Sequence, residues 1–258
     1  MPRPPAGASG PVELARAFAR PGEIALYLDV DGTLLHIAAT PDAVAIERPT
    51  IELLLQAHAA TGGALALITG RTIADVDRMF APLALAVAGQ HGFERRDAAG
   101  GLHRHARHVP GLAEVRAELD AFAAAHPGVL IEDKGLTLAL HYRLAPQAGP
   151  AAAALAARIA ARSADALAIQ LGKMVVELRP AGRDKGTAIA EFMDEAPFRG
   201  RTPVFLGDDL TDEHGFAIVN GLGGLSVKVG DGPTAARTRL AGVDEVRRWL
   251  ARLGTPEG

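Results

Sequence analysis

Short, almost wholly apolar runs alternate with amphipathic helical patterns, and this rhythm restricts the possible folds of the chain more than any other feature. The predicted strands of this kind are Ile24–Val30, Ala64–Ile68, Leu83–Ala88, Val204–Gly207 and Leu225–Val229. Predicted helices lie between them, beginning near Pro49, Ile73, Asp184 and Thr211. Strands that are apolar on both faces are typical of a parallel sheet with helices on each side. The sequence therefore predicts an α/β fold with a three-layer, Rossmann-like parallel-sheet core.

The middle of the chain follows a different pattern. Residues Leu136–Arg143 alternate strictly between two kinds of side chain, which is typical of an antiparallel sheet with one covered face. A helix from about Pro110, an alanine-rich helix over Ala151–Ala161 and a hairpin turning at Gly172-Lys173 surround that strand. We therefore expect an inserted α+β domain. The predicted divisions are an N-terminal tail and helix at 1–22, the core at 23–107 and 183–258, and the insertion at 108–182.

Composition narrows the classes of function. The 258 residues include no cysteine, which excludes disulfides, thiolate catalysis and zinc–thiolate sites. The formal net charge is −3 and no run of Lys or Arg stands out, so we expect no nucleic-acid partner and no membrane partner. The N-terminal residues do not resemble a signal peptide, and no apolar stretch is long enough to span a bilayer. A cytoplasmic location is the expectation.

Two acidic turns follow predicted core strands. Asp29 and Asp31 stand in LDVDGTL, and a spacing of two puts both carboxylates on one face at the end of a strand. The second turn, GDDLTDE, contributes Asp208, Asp209 and Asp212. Taken alone, the first turn fits an ordinary Asp-Gly turn as well as it fits a functional site. The second turn, taken alone, fits the N-terminal cap of a helix. Together, at strand ends that share one crevice, these carboxylates would repel one another without a cation, and hard oxygen ligands favour Mg²⁺.

Two other segments supply groups that hold an anion. Thr69, Gly70 and Arg71 follow the second core strand and open a helix, where a hydroxyl and backbone N–H groups suit a phosphate. Lys185 lies in the first turn of a later helix, where its charge opposes the helix dipole. That placement is favourable only if the ammonium faces an anion. The order of these segments along successive strand ends therefore predicts a phosphate site beside the acidic turns.

DVDGT, TGR, the lysine of DKG and GDD, in this order, resemble the four motifs of the haloacid dehalogenase superfamily of phosphohydrolases. The resemblance spans Ile24 to about Val229 and implies a haloacid dehalogenase core with an inserted cap. It also implies a Mg²⁺-dependent phosphatase that works through an aspartyl-phosphate. By this resemblance the catalytic residues are the nucleophile Asp29, the acid–base Asp31, and the phosphoryl-binding pair Thr69 and Lys185. The implied metal ligands are Asp29, Asp31, Asp208 and Asp209, with Asp212 supporting the metal or the substrate.

The inserted segment and its surroundings narrow the resemblance further. GQHGFE at 89–94, IEDKGLTLALHYR at 131–143 and GKMVVELRPAGRDKG at 172–186 are similar to the trehalose-phosphatase family. The substrate of that family is trehalose 6-phosphate. A solvated rim is the alternative reading of any single charge in these segments. The substrate-binding residues that the resemblance implies are Arg71, His91, Gly92, Glu132, Lys134, Arg143, Glu177 and Asp212.

Two other functions remain open at this point. The first is a phosphatase of the same fold that acts on another sugar phosphate, such as sucrose phosphate or a mannosyl phosphoglycerate, because the core motifs do not separate these substrates. The second is a non-catalytic sugar-phosphate sensor, which predicts loss of motif residues, yet Asp29, Asp31, Lys185 and Asp208 are all present. The expected partners are the sugar phosphate itself and, by functional coupling, a trehalose-phosphate synthase.

Overall fold

A computed structural model describes residues 20–37, 46–105, 111–163 and 166–253. These residues form two compact units. The first contains the described residues up to His103, Asp184–Asp208 and those from Asp212 onward, and the second contains Arg104–Arg183 with Asp209–Thr211. Most of the predicted N-terminal tail, and the predicted helix start at Pro110, lie outside the described residues. Within the described ranges, no helix has both the length and the apolar character needed to cross a membrane.

Twelve strands and seven helices make up the described secondary structure, apart from short 3₁₀ turns. The strands are Ile24–Leu28 (β1), Leu65–Ile68 (β2), Ala86–Gly89 (β3), Glu94–Arg96 (β4), Leu102–Arg104 (β5), Leu130–Asp133 (β6), Leu138–His141 (β7), Leu167–Gly172 (β8), Val175–Pro180 (β9), Thr202–Gly207 (β10), Leu225–Val229 (β11) and Thr238–Leu240 (β12). The helices are Arg48–Ala60 (α1), Ile73–Phe80 (α2), Leu112–Ala125 (α3), Gly149–Arg162 (α4), Lys185–Met193 (α5), Glu213–Gly221 (α6) and Val243–Arg252 (α7).

The first unit is built on one eight-stranded sheet, in the order β12-β11-β10-β1-β2-β3-β4-β5. Neighbouring strands from β12 to β3 are parallel, and β4 pairs with β3 in the antiparallel sense. Strand β1 is central, with Leu28 opposite Leu206 of β10 and Leu67 of β2. The carboxyl ends of β10, β1 and β2 therefore lie side by side. The predicted parallel core is confirmed.

Side chains alternate between two buried layers along the central strands. On one face the leucines of β1, including Leu26 and Leu28, pack in a cluster that includes Leu54 of α1, Phe80 of α2 and Trp249 of α7. The opposite face combines small strand residues with aromatic side chains from strands, helices and the loop before β10. That second cluster contains Ala25, Tyr27, Ala66, Ala86, Ala88, Phe192, Phe198, Phe205 and Phe216. Each face of the sheet therefore has its own buried core against helices, which is the three-layer arrangement predicted.

The second unit is an antiparallel sheet packed on two helices. Its strand order is β6-β7-β9-β8, and each adjacent pair is antiparallel. Leu138 and Leu140 point to a buried cluster that includes Leu119 of α3 and Ile159 of α4. The other face of β7 was expected to meet solvent, but this expectation is wrong, because Ala139 is fully buried. Its neighbours on that face bond to one another, as described below.

Several element boundaries differ from the predictions for local reasons. Strand β1 ends at Leu28 because the chain bends at the acidic turn, where Gly32 donates its N–H to the carbonyl of Leu35. The hairpin turn comprises Lys173-Met174, with Gly172 still paired to Val175. The helix expected from Thr211 begins two residues later, after a 3₁₀ turn. Strands β4, β5 and β12 were not predicted, since three residues are too few to produce a hydrophobic period.

Candidate active site

Three adjacent strand ends carry the predicted phosphate-site residues of the first unit. Asp29 follows β1, Thr69 follows β2 and Asp208 follows β10, and each is almost fully buried. The strand order makes them neighbours, with Asp29 between the other two. Backbone hydrogen bonds continue past the strand ends, because Asp29 donates its N–H to Leu206 at 3.0 Å. This carboxyl edge of the sheet is where open α/β folds bind ligands.

One lysine ammonium joins two of the acidic residues. The Lys185 Nζ donates to the Asp29 Oδ1 and to the Asp212 Oδ1, at 2.7 Å each. Lys185 reaches them from the first turn of α5, which Asp184 and Thr187 cap in a reciprocal capping box. All three charged side chains are shielded from solvent, at most 6% exposed. Such a network is stable only when its charges remain paired.

Three buried carboxylates of this unit could hold a metal ion. One oxygen from each of Asp29, Asp208 and Asp212 lies within 4.8 Å of the others. The Asp212 Oδ2 also accepts the backbone N–H of Asp208 at 2.9 Å, which fixes the acidic turn. Two glycines make room for these carboxylates, since a Cβ on Gly32 would stand 2.0 Å from the Asp208 Oδ2 and one on Gly207 would stand 2.3 Å from the Asp212 Cγ. An all-oxygen donor set fits Mg²⁺.

The charges of this cluster shift the acidity of its members. Burial raises the pKa of Asp29 well above its usual value, Lys185 opposes that rise, and Asp212 and Asp208 add to it. Burial by itself lowers the pKa of Lys185, but the Asp212 and Asp29 carboxylates outweigh it and raise that pKa. The ammonium therefore stays charged at neutral pH. A cation beside Asp29 would favour its ionised form, because an opposite charge lowers a carboxyl pKa.

Asp31 has a different partner. Its two carboxylate oxygens accept hydrogen bonds from the Arg71 Nε and Nη2, each at 2.7 Å. Asp31 is about one-third exposed, whereas Arg71 is largely covered. A bidentate guanidinium–carboxylate pair of this kind fixes the orientation of both groups. Two residues expected to act on the substrate are therefore bonded to each other.

The Thr69–Arg71 loop is held by the chain after β3. The His91 N–H donates to the Thr69 carbonyl at 2.9 Å, and the Gln90 N–H donates to the Arg71 carbonyl at 2.8 Å. Gln90 and His91 both have positive φ, 46° and 56°, which is uncommon outside glycine. The imidazole lies over Gly70, where a Cβ would be 2.7 Å from the His91 Nε2.

Gly92 continues this turn toward helix α5. Its φ is +95°, and a Cβ there would lie 2.9 Å from the Asp184 carbonyl. Buried Glu94 then accepts the Ile73 N–H at 2.7 Å, at the start of α2. The GQHGFE segment thus contacts the start of α2, after the Thr69–Arg71 loop, and the start of α5, which carries Lys185.

The second unit carries its own cluster of polar side chains on one sheet face. Glu132 and Glu177 stand opposite Ala139 from the two flanking strands. The Glu132 Oε2 pairs with the His141 Nε2 at 2.8 Å. The Glu177 Oε1 accepts hydrogen bonds from Thr137 at 2.7 Å and Lys134 at 3.2 Å. Although burial acts to raise the pKa of Glu132, His141 and Lys134 lower it.

The predicted site residues thus fall into two groups. The first unit brings together Asp29, Asp31, Thr69, Arg71, His91, Gly92, Lys185, Asp208 and Asp212. The second unit contains Glu132, Lys134, Arg143, Glu177 and Asp209. Arg143 is not part of the Glu132–His141 or Lys134–Glu177 pairs, because it donates to the Lys173 carbonyl at the hairpin, at 3.0 Å. Asp209 is outside the cluster of three carboxylates, and its Oδ1 accepts the Leu210 N–H at 2.8 Å.

Two polar residues near these groups were not predicted. Thr137 is fully buried and bonds to Glu177, and its polar character within an alternating strand was the available signal. Lys228 is buried in β11 and donates to the Asp208 carbonyl at 2.6 Å. The sequence signal for Lys228 is its position between Val227 and Val229, because lysine is rare in a buried strand.

Comparisons with known proteins agree with this arrangement. The family model described as trehalose-phosphatase matches residues 27–244. The trehalose-6-phosphate phosphatase of Escherichia coli (strain K12) is 48% identical over 233 residues, covering 90% of this chain and 86% of that protein. The structure of the C. albicans trehalose-6-phosphate phosphatase C-terminal domain matches with a TM-score of 0.85 at 20% identity, covering 96% of this chain and 97% of that one.

A haloacid dehalogenase-like hydrolase from B. subtilis matches with a TM-score of 0.61 at 14% identity, covering 89% of this chain and 99% of that one. At these identities the two structures show the fold, which is a haloacid dehalogenase core with an inserted cap. The family model covers most of the chain, and the E. coli relative is nearly half identical. The chain belongs to the trehalose-phosphatase family.

Proposed function

We propose that the protein is a Mg²⁺-dependent phosphatase that hydrolyses trehalose 6-phosphate to trehalose and phosphate. The observation that carries the proposal is the buried Asp29 carboxylate, held by Lys185 beside Asp208 and Asp212 at the carboxyl edge of the sheet. The named activity of the 48% identical relative supports the substrate, and family membership supports the reaction class, phosphoric monoester hydrolysis.

Asp29 is the proposed nucleophile. One of its oxygens attacks phosphorus, the bond from phosphorus to the sugar oxygen breaks, and an aspartyl-phosphate forms. Water then attacks the same phosphorus, which releases phosphate and restores the carboxylate. Lys185 and Thr69 neutralise and hold the phosphoryl oxygens through both steps, because positioning and charge neutralisation dominate catalysis of this reaction.

Asp31 is the proposed acid–base. It gives a proton to the departing sugar oxygen and later takes one from the attacking water. Its bidentate bond to Arg71 fixes the orientation of both carboxylate oxygens. For the first role the guanidinium must turn toward the phosphate, so we propose that Arg71 exchanges Asp31 for the substrate.

The acidic residues fit a bound Mg²⁺. Asp29, Asp208 and the backbone carbonyl of Asp31 would hold it, with Asp212 in direct or water-mediated support. When bound, the ion would screen the repulsion between the Asp29 carboxylate and the phosphate. Gly32 and Gly207 support this arrangement, because a side chain at either position would displace the Asp208 or the Asp212 carboxylate.

The second unit is the proposed cap, and its polar cluster is the proposed sugar-binding surface. A sugar hydroxyl both donates and accepts, so alternating carboxylates and cations suit it. Glu132, Lys134 and Glu177 supply such a set. Their side chains are already ordered, because Glu132 pairs with His141 and Lys134 donates to Glu177. Arg143 would order the hairpin edge of this unit, and His91 and Gly92 are proposed substrate-binding residues of the first unit.

Other sugar phosphates remain the main rival substrates, since the core chemistry would serve sucrose phosphate or a mannosyl phosphoglycerate equally well. Functional coupling to a trehalose-phosphate synthase and a cytoplasmic location also remain predictions. A substrate panel tests the proposal. Phosphate release is measured from trehalose 6-phosphate, sucrose 6-phosphate and glucose 6-phosphate, each with Mg²⁺ and with chelator. Strong release from trehalose 6-phosphate that the chelator abolishes is expected, whereas a preference for another sugar phosphate would overturn the substrate assignment.

A further inference from the structure

Lys228 is a buried charge that none of the proposed catalytic steps uses. It is the fourth of the five residues of the buried strand β11, LSVKV, and is 5% exposed. Placing an ammonium in such a strand carries a desolvation penalty that an apolar residue would avoid. Its Nζ donates to the backbone carbonyl of Asp208 at 2.6 Å. The charge is therefore directed at the acidic turn.

Sheet register explains how Lys228 reaches that turn. Lys228 is paired with Gly207 of β10, the residue immediately before Asp208. Paired residues of neighbouring strands present their side chains to the same face. On that face of Gly207 lies the Asp212 carboxylate, 2.3 Å from where a Cβ would be. The Lys228 ammonium and the Asp212 carboxylate therefore share one face of the sheet.

We propose that Lys228 is a positioning residue for the metal site, acting through the Asp208 carbonyl. The backbone of Asp208 is fixed at both ends, because its N–H donates to the Asp212 Oδ2 at 2.9 Å and its carbonyl accepts from the Lys228 Nζ. With the peptide held, the Asp208 carboxylate faces Asp29 and Asp212. Partners that orient metal ligands typically contribute 10- to 100-fold to metal affinity. The inference rests on the proposed function only in its use of Mg²⁺.

The sign of the effect separates positioning from simple electrostatics. Removing a positive charge beside three carboxylates would, by Coulomb's law alone, tighten cation binding. Loss of positioning would weaken it. Lys228→Met keeps the length and apolar stem of the side chain while removing both the charge and the donor. Lys228→Arg keeps a charge and a donor.

The experiment is calorimetric titration of MgCl₂ into the metal-free full chain, without substrate. For Lys228→Met the Kd for Mg²⁺ is expected to rise at least tenfold, and for Lys228→Arg to stay within about threefold of wild type. Val227→Ala is the matched control, since Val227 is fully buried on the same strand but faces the other layer. It should lower the melting temperature and leave the Kd unchanged.

An unchanged or lower Kd in Lys228→Met would overturn the inference, as would an equal rise in Val227→Ala. Lys228→Leu serves as a second variant with the same expectation if the Met variant does not fold. The titration is independent of the substrate. Failure of wild type to hydrolyse trehalose 6-phosphate, with Mg²⁺ binding intact, would therefore refute the proposed function and leave Lys228 to be judged by its own Kd.

Discussion

Gly32 offers a sharp test of how the acidic turn is built, because its surroundings allow no side chain. Its φ is +88°, and a Cβ would lie 2.0 Å from the Asp208 Oδ2. In Gly32→Ala the carboxylate must move by about 1.4 Å to reach the 3.4 Å at which ordinary contact begins. A misplacement of about 1 Å near the chemistry can lower a rate by about 100-fold. We expect kcat/KM to fall by about that factor.

Gly100 supplies the matched control. Its φ is also +88°, but nothing lies within 4 Å of where its Cβ would be. Both alanine variants incur a left-handed backbone penalty of about 1–2 kcal/mol. Reduced freedom of the unfolded chain offsets about 0.4–1 kcal/mol of it. Gly100→Ala should therefore lower the free energy of unfolding by about 1 kcal/mol and leave activity unchanged.

The two variants are compared by urea unfolding and by phosphate release from trehalose 6-phosphate at saturating Mg²⁺. The expected pattern is a stability loss in both variants and an activity loss in Gly32→Ala alone. If Gly32→Ala kept kcat/KM within twofold of Gly100→Ala, the packing of Asp208 against this glycine would have no bearing on catalysis.

Three further substitutions test other parts of the molecule. Glu177→Gln should raise KM for trehalose 6-phosphate about tenfold and spare p-nitrophenyl phosphate; equal losses on both would contradict a sugar-binding role. Lys185→Met leaves Asp29 facing buried carboxylates, so chelator-treated protein should lose about 3–5 kcal/mol of unfolding free energy, which unchanged urea midpoints would disprove. His141→Gln should raise the pKa of Glu132 in an NMR titration, and a constant pKa would exclude their coupling.

The pH consequence of the His141–Glu132 pair follows from the same pKa. The pKa of Glu132 is lowered in the folded protein relative to its ordinary 4.5, chiefly by His141 and Lys134 acting against burial. Its contribution to stability is therefore present above the unfolded-state pKa and is lost as the pH falls through the folded-state pKa. In His141→Gln the free energy of unfolding should therefore fall less as the pH is lowered through this range. If the variant and wild type lose the same free energy over that range, the pair does not stabilise the ionised Glu132.

The sequence predicted the parallel core well because its strands are long and apolar on both faces. Runs such as Ile24–Leu28 have few alternative structures, and the helix predicted to begin near Ile73 begins at that residue. The short strands Glu94–Arg96 and Thr238–Leu240 depend on pairing with β3 and β11, which no local pattern encodes. The burial of Ala139 was not predicted either. The alternating pattern of Leu136–Arg143 shows which side chains are apolar, but not which neighbouring side chains cover the second face.

The candidate site was predictable as a set of residues but not as a set of contacts. Motif order indicated that Asp29, Lys185 and Asp208 would share one edge of the sheet. It did not indicate that Arg71 bonds to Asp31, because 40 residues separate them and each had a separate expected role. The Lys228 bond depends on strand register, which is fixed only when β10 and β11 pair.

The most direct test of the account is phosphate release from trehalose 6-phosphate by wild type and Asp29→Asn, measured side by side at saturating Mg²⁺. Asparagine is nearly isosteric with aspartate and still accepts from Lys185, but it lacks the anionic oxygen that attacks phosphorus. We predict sustained turnover by wild type and a loss of at least about 10⁴-fold in kcat for the variant, with both proteins folded. A variant that kept more than a tenth of the wild-type kcat would contradict Asp29 as the nucleophile and, with it, the proposed mechanism.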